Sequence, residues 1–163
     1  MAAGGERGAG ARSPGAGGVE AGVRAFVASD YDAVLELWRV SDGVVLREVD
    51  SRPAVERFLS RNPGTSFVCE REGRVVGAVL CGTDGRRGFL YHLAVAPGHR
   101  RRGVGRVLVQ SALQALAAAG VHKCHLMVLP SNTAARAFWK SVGWVERSDV
   151  MLMSHAAPER PEA

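Results

Sequence analysis

Hydrophobic and polar positions change their period several times along the chain. An apolar run at 23–28 predicts a strand, and a polar Ser-Asp pair then precedes a helical pattern over 31–40. A second helical pattern covers 51–61, with Pro53 in its first turn, where proline is favoured. The first third of the chain is therefore predicted to form one strand followed by two helices.

The middle of the chain has the pattern of strands. Apolar runs at 65–70 and 74–82 are separated by a short polar turn that contains a glycine, which predicts a hairpin. A third run, 89–95, is too apolar for a strand at the edge of a sheet. Three consecutive strands are therefore expected here.

The last part of the chain returns to a helical period. Apolar residues recur at helical spacing from Gly103 to Gly120, and glycine is a common residue just beyond a helix end. A strand at 122–128, a helix over 131–142 and a final strand at 144–154 follow. The predicted order is β-α-α-β-β-β-α-β-α-β, a mixed sheet with helices packed on it.

Composition limits the class of protein. The chain has 163 residues and is 47% hydrophobic, which suffices for one packed domain. No apolar run approaches the roughly 18 residues that span a bilayer. The three cysteines lie in apolar runs without metal-binding spacing, which is typical of reduced thiols in a cytosol-like compartment: Cys69, Cys81 and Cys124. We therefore expect a cytoplasmic protein with no metal and no membrane partner.

The two ends of the chain differ in composition from the rest. Residues 1–20 are rich in Gly and Ala and lack the apolar segment of a secretory signal, which predicts a disordered leader. Residues 155–163 are predicted to be a flexible tail. The folded domain is expected to cover 21–154.

The formal net charge of +5 is concentrated at the junction between the strand at 89–95 and the following helix. This junction contains four arginines around two glycines: Arg100, Arg101, Arg102, Arg106, Gly103 and Gly105. The first amides of a helix lack internal partners, and the helix dipole adds positive potential there. Glycines let a ligand approach the backbone, so the segment predicts a site for a phosphate group.

Other interpretations of this arginine cluster fit less well. A P-loop requires Lys-Ser or Lys-Thr after the glycines, and a dinucleotide fingerprint requires a third glycine where this chain has Leu108. Surfaces that bind nucleic acid usually spread basic residues over a face or interleave them with aromatic residues, and no aromatic residue lies between Val95 and Ala137. A nucleic-acid partner is therefore not expected. A solvated basic turn stays open as an alternative.

Two motifs carry a resemblance to a known family. The pattern [QR]xxGx[GA] is present from Arg100 to Gly105, directly after an apolar strand. Further on, Asn132, Ala135, Phe138-Trp139 and Gly143-Trp144 are similar to the segment NxxAxxFYxxxGF. With these motifs, roughly residues 22–154 resemble the GNAT superfamily of acetyl-CoA-dependent N-acetyltransferases, and are most similar to small bacterial YpeA-like members.

This resemblance implies a fold. It is an α/β fold, or α+β by some schemes, with a mixed and mostly antiparallel sheet of six or seven strands. About four helices pack on its two faces. Two neighbouring central strands, here 89–95 and 122–128, would splay apart.

The resemblance also implies acetyl-CoA as co-substrate. Its pantetheine arm would contact the backbone of Leu93 and Val95, its pyrophosphate would lie on the amides of 101–105, and Asn132 would approach from the other side. The implied cofactor-binding residues are Leu93, Ala94, Val95, Arg100, Arg101, Arg102, Gly103, Val104, Gly105, Arg106, Asn132 and Trp139.

The resemblance to the family also implies candidate catalytic residues. The amide N–H of Val95 would polarise the thioester carbonyl, and Tyr91 would line the cleft and help to move a proton. Trp139 stands where the family often has a tyrosine that protonates the leaving thiolate, and an indole cannot supply that proton readily. An imidazole such as that of His92 can serve as a general base. Because side chains alternate along a strand, His92 is expected to face away from Tyr91, which favours a structural role over the catalytic one.

The resemblance implies transfer of acetyl from acetyl-CoA to a primary amine by direct attack. The acceptor is a small molecule or a peptide, and the protein is a monomer or a homodimer. The segment 40–53 would recognise this acceptor, with Glu48 and Asp50 as candidate partners of an ammonium group or as ordinary surface charges. A non-catalytic module that binds acyl-CoA is the alternative, since Trp139 departs from the family.

Overall fold

The computed structural model describes residues 22–157. The leader predicted for 1–20 and most of the predicted tail therefore lie outside the described residues. The chain divides into two compact units, Met1–Met127 and Val128–Ala163, and each unit has its own internal contacts.

The first unit contains a five-stranded sheet. Its strands follow the order of the sequence across the sheet, and neighbours are antiparallel except for the last pair, which is parallel. The strands are β1 (Gly22–Ala25), β2 (Phe67–Arg71), β3 (Arg74–Thr83), β4 (Gly88–Val95) and β5 (Cys124–Leu126). The predicted mixed, mostly antiparallel sheet is confirmed, although six or seven strands were expected.

Helices cover both faces of this sheet. They are α1 (Tyr31–Arg39), α2 (Arg52–Arg61) and α3 (Val104–Ala118), with 3₁₀ turns at Ala28–Asp30, Glu48–Asp50 and Pro97–His99. On one face, the fully buried Trp38 of α1 packs with Val68 and Ala78 of the sheet. On the other face, α3 lies so close to β3 that a Cβ atom at Gly77 would be 2.7 Å from Val104 Cγ1.

The second unit contains α4 (Thr133–Ser141). Asn132 caps this helix, because its side-chain oxygen accepts a hydrogen bond from the Ala135 amide at 3.0 Å. After α4, Trp139 and Trp144 are in edge contact, with ring centroids 5.2 Å apart.

The final strand predicted at 144–154 is absent from the described residues, and this accounts for the lower strand count. The segment has no regular secondary structure, and apolar side chains such as Met151 and Met153 are each 86% exposed. An alternating pattern forms a strand only where a neighbouring strand completes its hydrogen bonds. This part of the prediction was wrong for that reason.

Candidate active site

The gap between β4 and β5 is the first element of the site. β5 pairs only with residues 88–90 of β4, although β4 continues to Val95. The amide of Ala96 donates to the Val76 carbonyl of β3, and N–H groups alternate along a strand. The N–H groups of Val95 and Leu93 therefore point to the opposite edge, where β5 has diverged. The expected splay of the two strands is present within the first unit.

A β-bulge interrupts β4 within the part that pairs with β3 but not with β5. Ala78 and Leu80 of β3 are opposite Ala94 and Tyr91, so β4 contains one extra residue between these pairs. His92 takes up the irregularity with a left-handed backbone, φ 46°. The expected alternation fails here, because the bulge turns Tyr91 and His92 towards the same face, the one that α1 and α2 cover. The predicted orientation of His92 was wrong.

The loop between β4 and α3 presents a row of backbone amides. Arg101 and Gly103 both have left-handed backbones, with φ of 59° and 84°. No backbone or side-chain acceptor in residues 22–157 takes the amide hydrogens of 101–105. Successive amides in such a conformation form a concave site for an anion, next to the N-terminus of the 15-residue α3.

The space around Gly103 indicates whether this loop can accept a large anionic group. A Cβ atom built there would meet no atom of the protein within 4 Å, so packing does not exclude a side chain at this position. The space above the amides is open, as an incoming pyrophosphate requires. These residues therefore fit the phosphate-binding end of acetyl-CoA.

The four arginines of this junction have different surroundings. Arg100 turns back to the gap, where its Nε donates to the Val95 carbonyl at 3.1 Å and its Nη1 lies 3.3 Å from Asp42 Oδ2. Arg101 and Arg102 are exposed, as is Arg106 in the first turn of α3. Arg100 thus links the loop to the open edge, while the other three add exposed positive charge to the same segment of the chain.

A hydrogen-bonded pair, His92 and Asp50, lies beside the bulge, and sequence reasoning missed it. His92 Nε2 is 2.7 Å from Asp50 Oδ1, and the other carboxylate oxygen accepts the Arg47 amide at 2.9 Å. Trp38 covers the imidazole with its ring centroid 5.0 Å away. Asp50 is only 6% exposed, so it is neither a surface charge nor an open site for a substrate ammonium, whereas Glu48 is exposed.

Tyr91 lies next to His92 on the same face. Its ring packs edge-on against Phe58 of α2, with centroids 6.0 Å apart, and stacks with Phe89. Burial raises the pKa of the Tyr91 hydroxyl above its usual range, and the neighbouring thiols of Cys124 and Cys81 add to the shift. Tyr91 therefore keeps its proton at neutral pH and acts as a hydrogen-bond donor.

Two of the predicted site residues belong to the second unit. The side-chain oxygen of Asn132 is engaged in capping α4. Trp139 is half-buried and contacts Phe138 and Trp144 edge-on. Within this unit, both side chains have local structural partners.

Metal sites and membrane-spanning helices are both absent from the described residues. No group of three or more His, Cys, Asp or Glu side chains in 22–157 is arranged to hold a metal ion. In the same range, no helix combines the length and the apolar character needed to cross a membrane.

Comparisons with known proteins agree with this geometry. A sequence profile of the acetyltransferase (GNAT) family matches residues 31–144. Acetyltransferase SG1711 of Sodalis glossinidius is 33% identical over 141 residues, which are 86% of this chain and 98% of that protein.

Solved structures show the same fold. Diaminobutyrate acetyltransferase EctA of Paenibacillus lautus, in complex with L-2,4-diaminobutyric acid and coenzyme A, aligns with a TM-score of 0.64 and 28% identity over 75% of this chain and 74% of its own. PaiA N-acetyltransferase of Thermoplasma acidophilum, in complex with coenzyme A, has a TM-score of 0.71 at 18% identity over 80% and 94% of the two chains.

The family match and the named relatives, together with this fold, support an acyltransferase that depends on acetyl-CoA. The chain belongs to the acetyltransferase (GNAT) family. The names of these relatives do not specify YpeA, so that part of the resemblance stays a prediction.

Proposed function

We propose that the protein transfers the acetyl group of acetyl-CoA to a primary amine by direct attack of the amine nitrogen. The observation that carries this proposal is the junction after β4, where the amides of 101–105 lack acceptors and Gly103 leaves the space above them open. The pyrophosphate of acetyl-CoA is the group that these amides and the three exposed arginines would hold.

The open edge of β4 would hold the pantetheine arm. The N–H groups of Leu93 and Val95 point to this edge, and hydrogen bonds from them would fix the arm in the position of a missing strand. The small Ala94 between them is buried on the face of α1 and α2, so it anchors this stretch of backbone. On the family motif alone, we keep Asn132 and Trp139 as proposed contacts of acetyl-CoA.

When bound, acetyl-CoA supplies an acetyl group activated as a thioester. The Val95 N–H would donate a hydrogen bond to the thioester oxygen as negative charge develops on it. The amine lone pair forms the C–N bond while the C–S bond breaks, and the departing thiolate takes up a proton. Tyr91, which keeps its proton, is placed on β4 to help move protons in this cleft.

A small-molecule amine is the acceptor that the comparisons favour. EctA of Paenibacillus lautus was solved with L-2,4-diaminobutyric acid as its substrate, and its sequence is 28% identical to this chain. A peptide amine is the second class of acceptor, because an N-terminus or a lysine side chain offers the same nucleophile.

Two measurements test the proposal. Acetyl-CoA at about 100 times its Kd is expected to stabilise the fold by roughly 2.7 kcal/mol, because it binds the native state. Thiol release from acetyl-CoA is then followed with L-2,4-diaminobutyrate, spermidine, neamine and a lysine-containing peptide. A melting temperature that does not change with millimolar acetyl-CoA would reject the proposal. Stabilisation without thiol release from any amine would instead indicate a binding protein.

A further inference from the structure

We propose that His92 is the catalytic base that deprotonates the acceptor amine, and that the buried carboxylate of Asp50 positions it. This inference rests on the proposed function. It names the group that makes the amine nucleophilic, a role that the sequence left unassigned between several residues.

The first argument is the place of His92 in β4. It lies in the part of the strand whose edge is open, directly before Leu93, whose N–H points into the gap. Its φ is 46°, and a positive φ is uncommon in residues other than glycine. Such strain is concentrated at functional sites, where surrounding structure holds it in place.

The second argument is the hydrogen-bond geometry of the pair. Asp50 Oδ2 accepts the Arg47 amide, which leaves Oδ1 directed at the imidazole 2.7 Å away. A carboxylate accepts hydrogen bonds and does not donate them, so the proton of the neutral ring lies on Nε2. The lone pair is then on Nδ1. No protein group in residues 22–157 hydrogen-bonds to Nδ1, so this atom is available to a substrate proton.

The third argument is the rigidity of the surroundings. From α1, the Trp38 ring packs on the imidazole, and the Tyr31 hydroxyl donates to the Asp50 backbone carbonyl at 2.9 Å. The carboxylate of Asp50 belongs to the 3₁₀ turn Glu48–Asp50. Tyr91 lies beside His92 on β4. The His92 side chain is nevertheless 22% exposed, so a substrate reaches a ring that is otherwise fixed.

The proton balance of the step is complete. Nδ1 of His92 removes one proton from the substrate ammonium, and the resulting imidazolium is stabilised by Asp50. The free amine forms the C–N bond with the acetyl carbon, and the C–S bond breaks. A second proton passes from the attacking nitrogen to the thiolate, the third stays in the amide, and His92 returns its proton to solvent.

The test compares His92→Asn with His122→Asn. Asparagine tolerates a left-handed backbone better than most residues, so the first variant is expected to fold. His122 is an exposed histidine outside the site and serves as the matched control. Both variants are assayed for kcat, for Kd of acetyl-CoA and for melting temperature, with the four amines named above.

His92→Asn is expected to lower kcat by ~10²–10⁴-fold, the usual contribution of a general base. Its Kd for acetyl-CoA should stay within about twofold of the wild-type value, because the phosphate loop is unchanged. The kcat of the wild type should reach a plateau with rising pH once the imidazole has lost its proton. The kcat of the variant should continue to rise with pH, because hydroxide then has to remove the proton.

The role of Asp50 has its own readout. In the wild type, the nitrogen chemical shifts of His92 should report the Nε2–H tautomer. In Asp50→Asn, whose amide donates as well as accepts, the two tautomers should mix and kcat should fall. The Nδ1–H tautomer in the wild type would overturn the proposal without any activity measurement.

The remaining outcomes separate the two proposals. Wild-type turnover together with a His92→Asn kcat within threefold of wild type would overturn the role of His92 and leave acetyl transfer standing. The absence of turnover by the wild type with every amine would instead reject the proposed function, and the catalytic role of His92 with it.

Discussion

The two halves of β4 belong to one strand but have different surroundings. Residues 88–90 are paired on both sides, with β3 and with β5, and Leu90 is only 4% exposed. Residues 91–95 are paired with β3 alone and contain the bulge at His92. One strand thus changes from a fully paired core element to an irregular element with a free edge.

In the proposed mechanism, this difference assigns stability to one half of β4 and chemistry to the other. The paired half has no spare volume, since a Cβ atom at Gly88 would be 2.4 Å from Leu116 Cδ1. The irregular half keeps N–H groups and side chains available for a substrate. Because the backbone is continuous, the rigid half holds the open half in position, as a preorganised site requires.

The largest effect is expected from Leu90→Ala in the paired half. Removal of a fully buried leucine should lower the free energy of unfolding by about 2–5 kcal/mol. Leu93→Ala is the matched control in the other half, where the side chain is half-buried, and it should cost clearly less. Urea unfolding of both variants checks this order. Equal losses would show that the two halves contribute alike to stability.

The next effect concerns the loop that follows the open half. Gly103→Ala should weaken acetyl-CoA binding by roughly tenfold or more, because a methyl group and a strained backbone disturb the amides of 101–105. Gly85 offers a matched control, since its φ is 85° and a Cβ atom there also meets nothing within 4 Å. Both variants should lose about 1 kcal/mol of stability from the left-handed backbone. Calorimetry should find the Kd changed only in Gly103→Ala, and an equal change in both would move the phosphate site elsewhere.

A smaller effect is expected at Trp139, which lies outside β4. If the chemistry resides in the open half of β4, Trp139→Phe should reduce kcat by less than about tenfold, since a general acid typically contributes ~10²–10⁴-fold. Trp144→Phe is the control, because it removes an indole from the same ring cluster. A loss above ~100-fold for Trp139→Phe alone, with intact acetyl-CoA affinity, would place an essential group outside β4.

The smallest effect is a pH dependence of stability from Tyr91. Burial raises the pKa of its hydroxyl in the folded state, so the unfolded chain loses this proton first as the pH rises. The stability contributed by Tyr91 is therefore complete below the ordinary tyrosine value near 10 and declines above it. Urea unfolding at pH 8 and pH 11 should show a larger loss for the wild type than for Tyr91→Phe. Identical losses would indicate that Tyr91 is solvated.

Much of the fold was predictable because its signals are local. The glycine pair at 103 and 105 and the apolar period after it identified the junction, and α3 begins at Val104 as expected. Asn132 at the start of α4 has the geometry of a side-chain cap, and asparagine is one of the residues that this position favours. Short-range rules of this kind need no knowledge of distant residues.

The parts that the sequence missed depend on long-range partners. The bulge at His92 follows from the register between β3 and β4, which a period of two along one strand does not reveal. The burial of Asp50 depends on His92, 42 residues away in the sequence. An isolated carboxylate in a polar segment resembles any surface charge until its partner is known.

The free edge of β4 also bears on self-association. An unpaired strand edge invites another chain to add a strand, and natural proteins discourage this with charges and bulges at such edges. Both devices are present here. The charged Arg100 donates a hydrogen bond to the Val95 carbonyl, and the bulge at His92 distorts the edge. The residues that shape the proposed substrate gap are thus of the kind that discourages strand addition, so any redesign of this gap for another acyl donor should keep them.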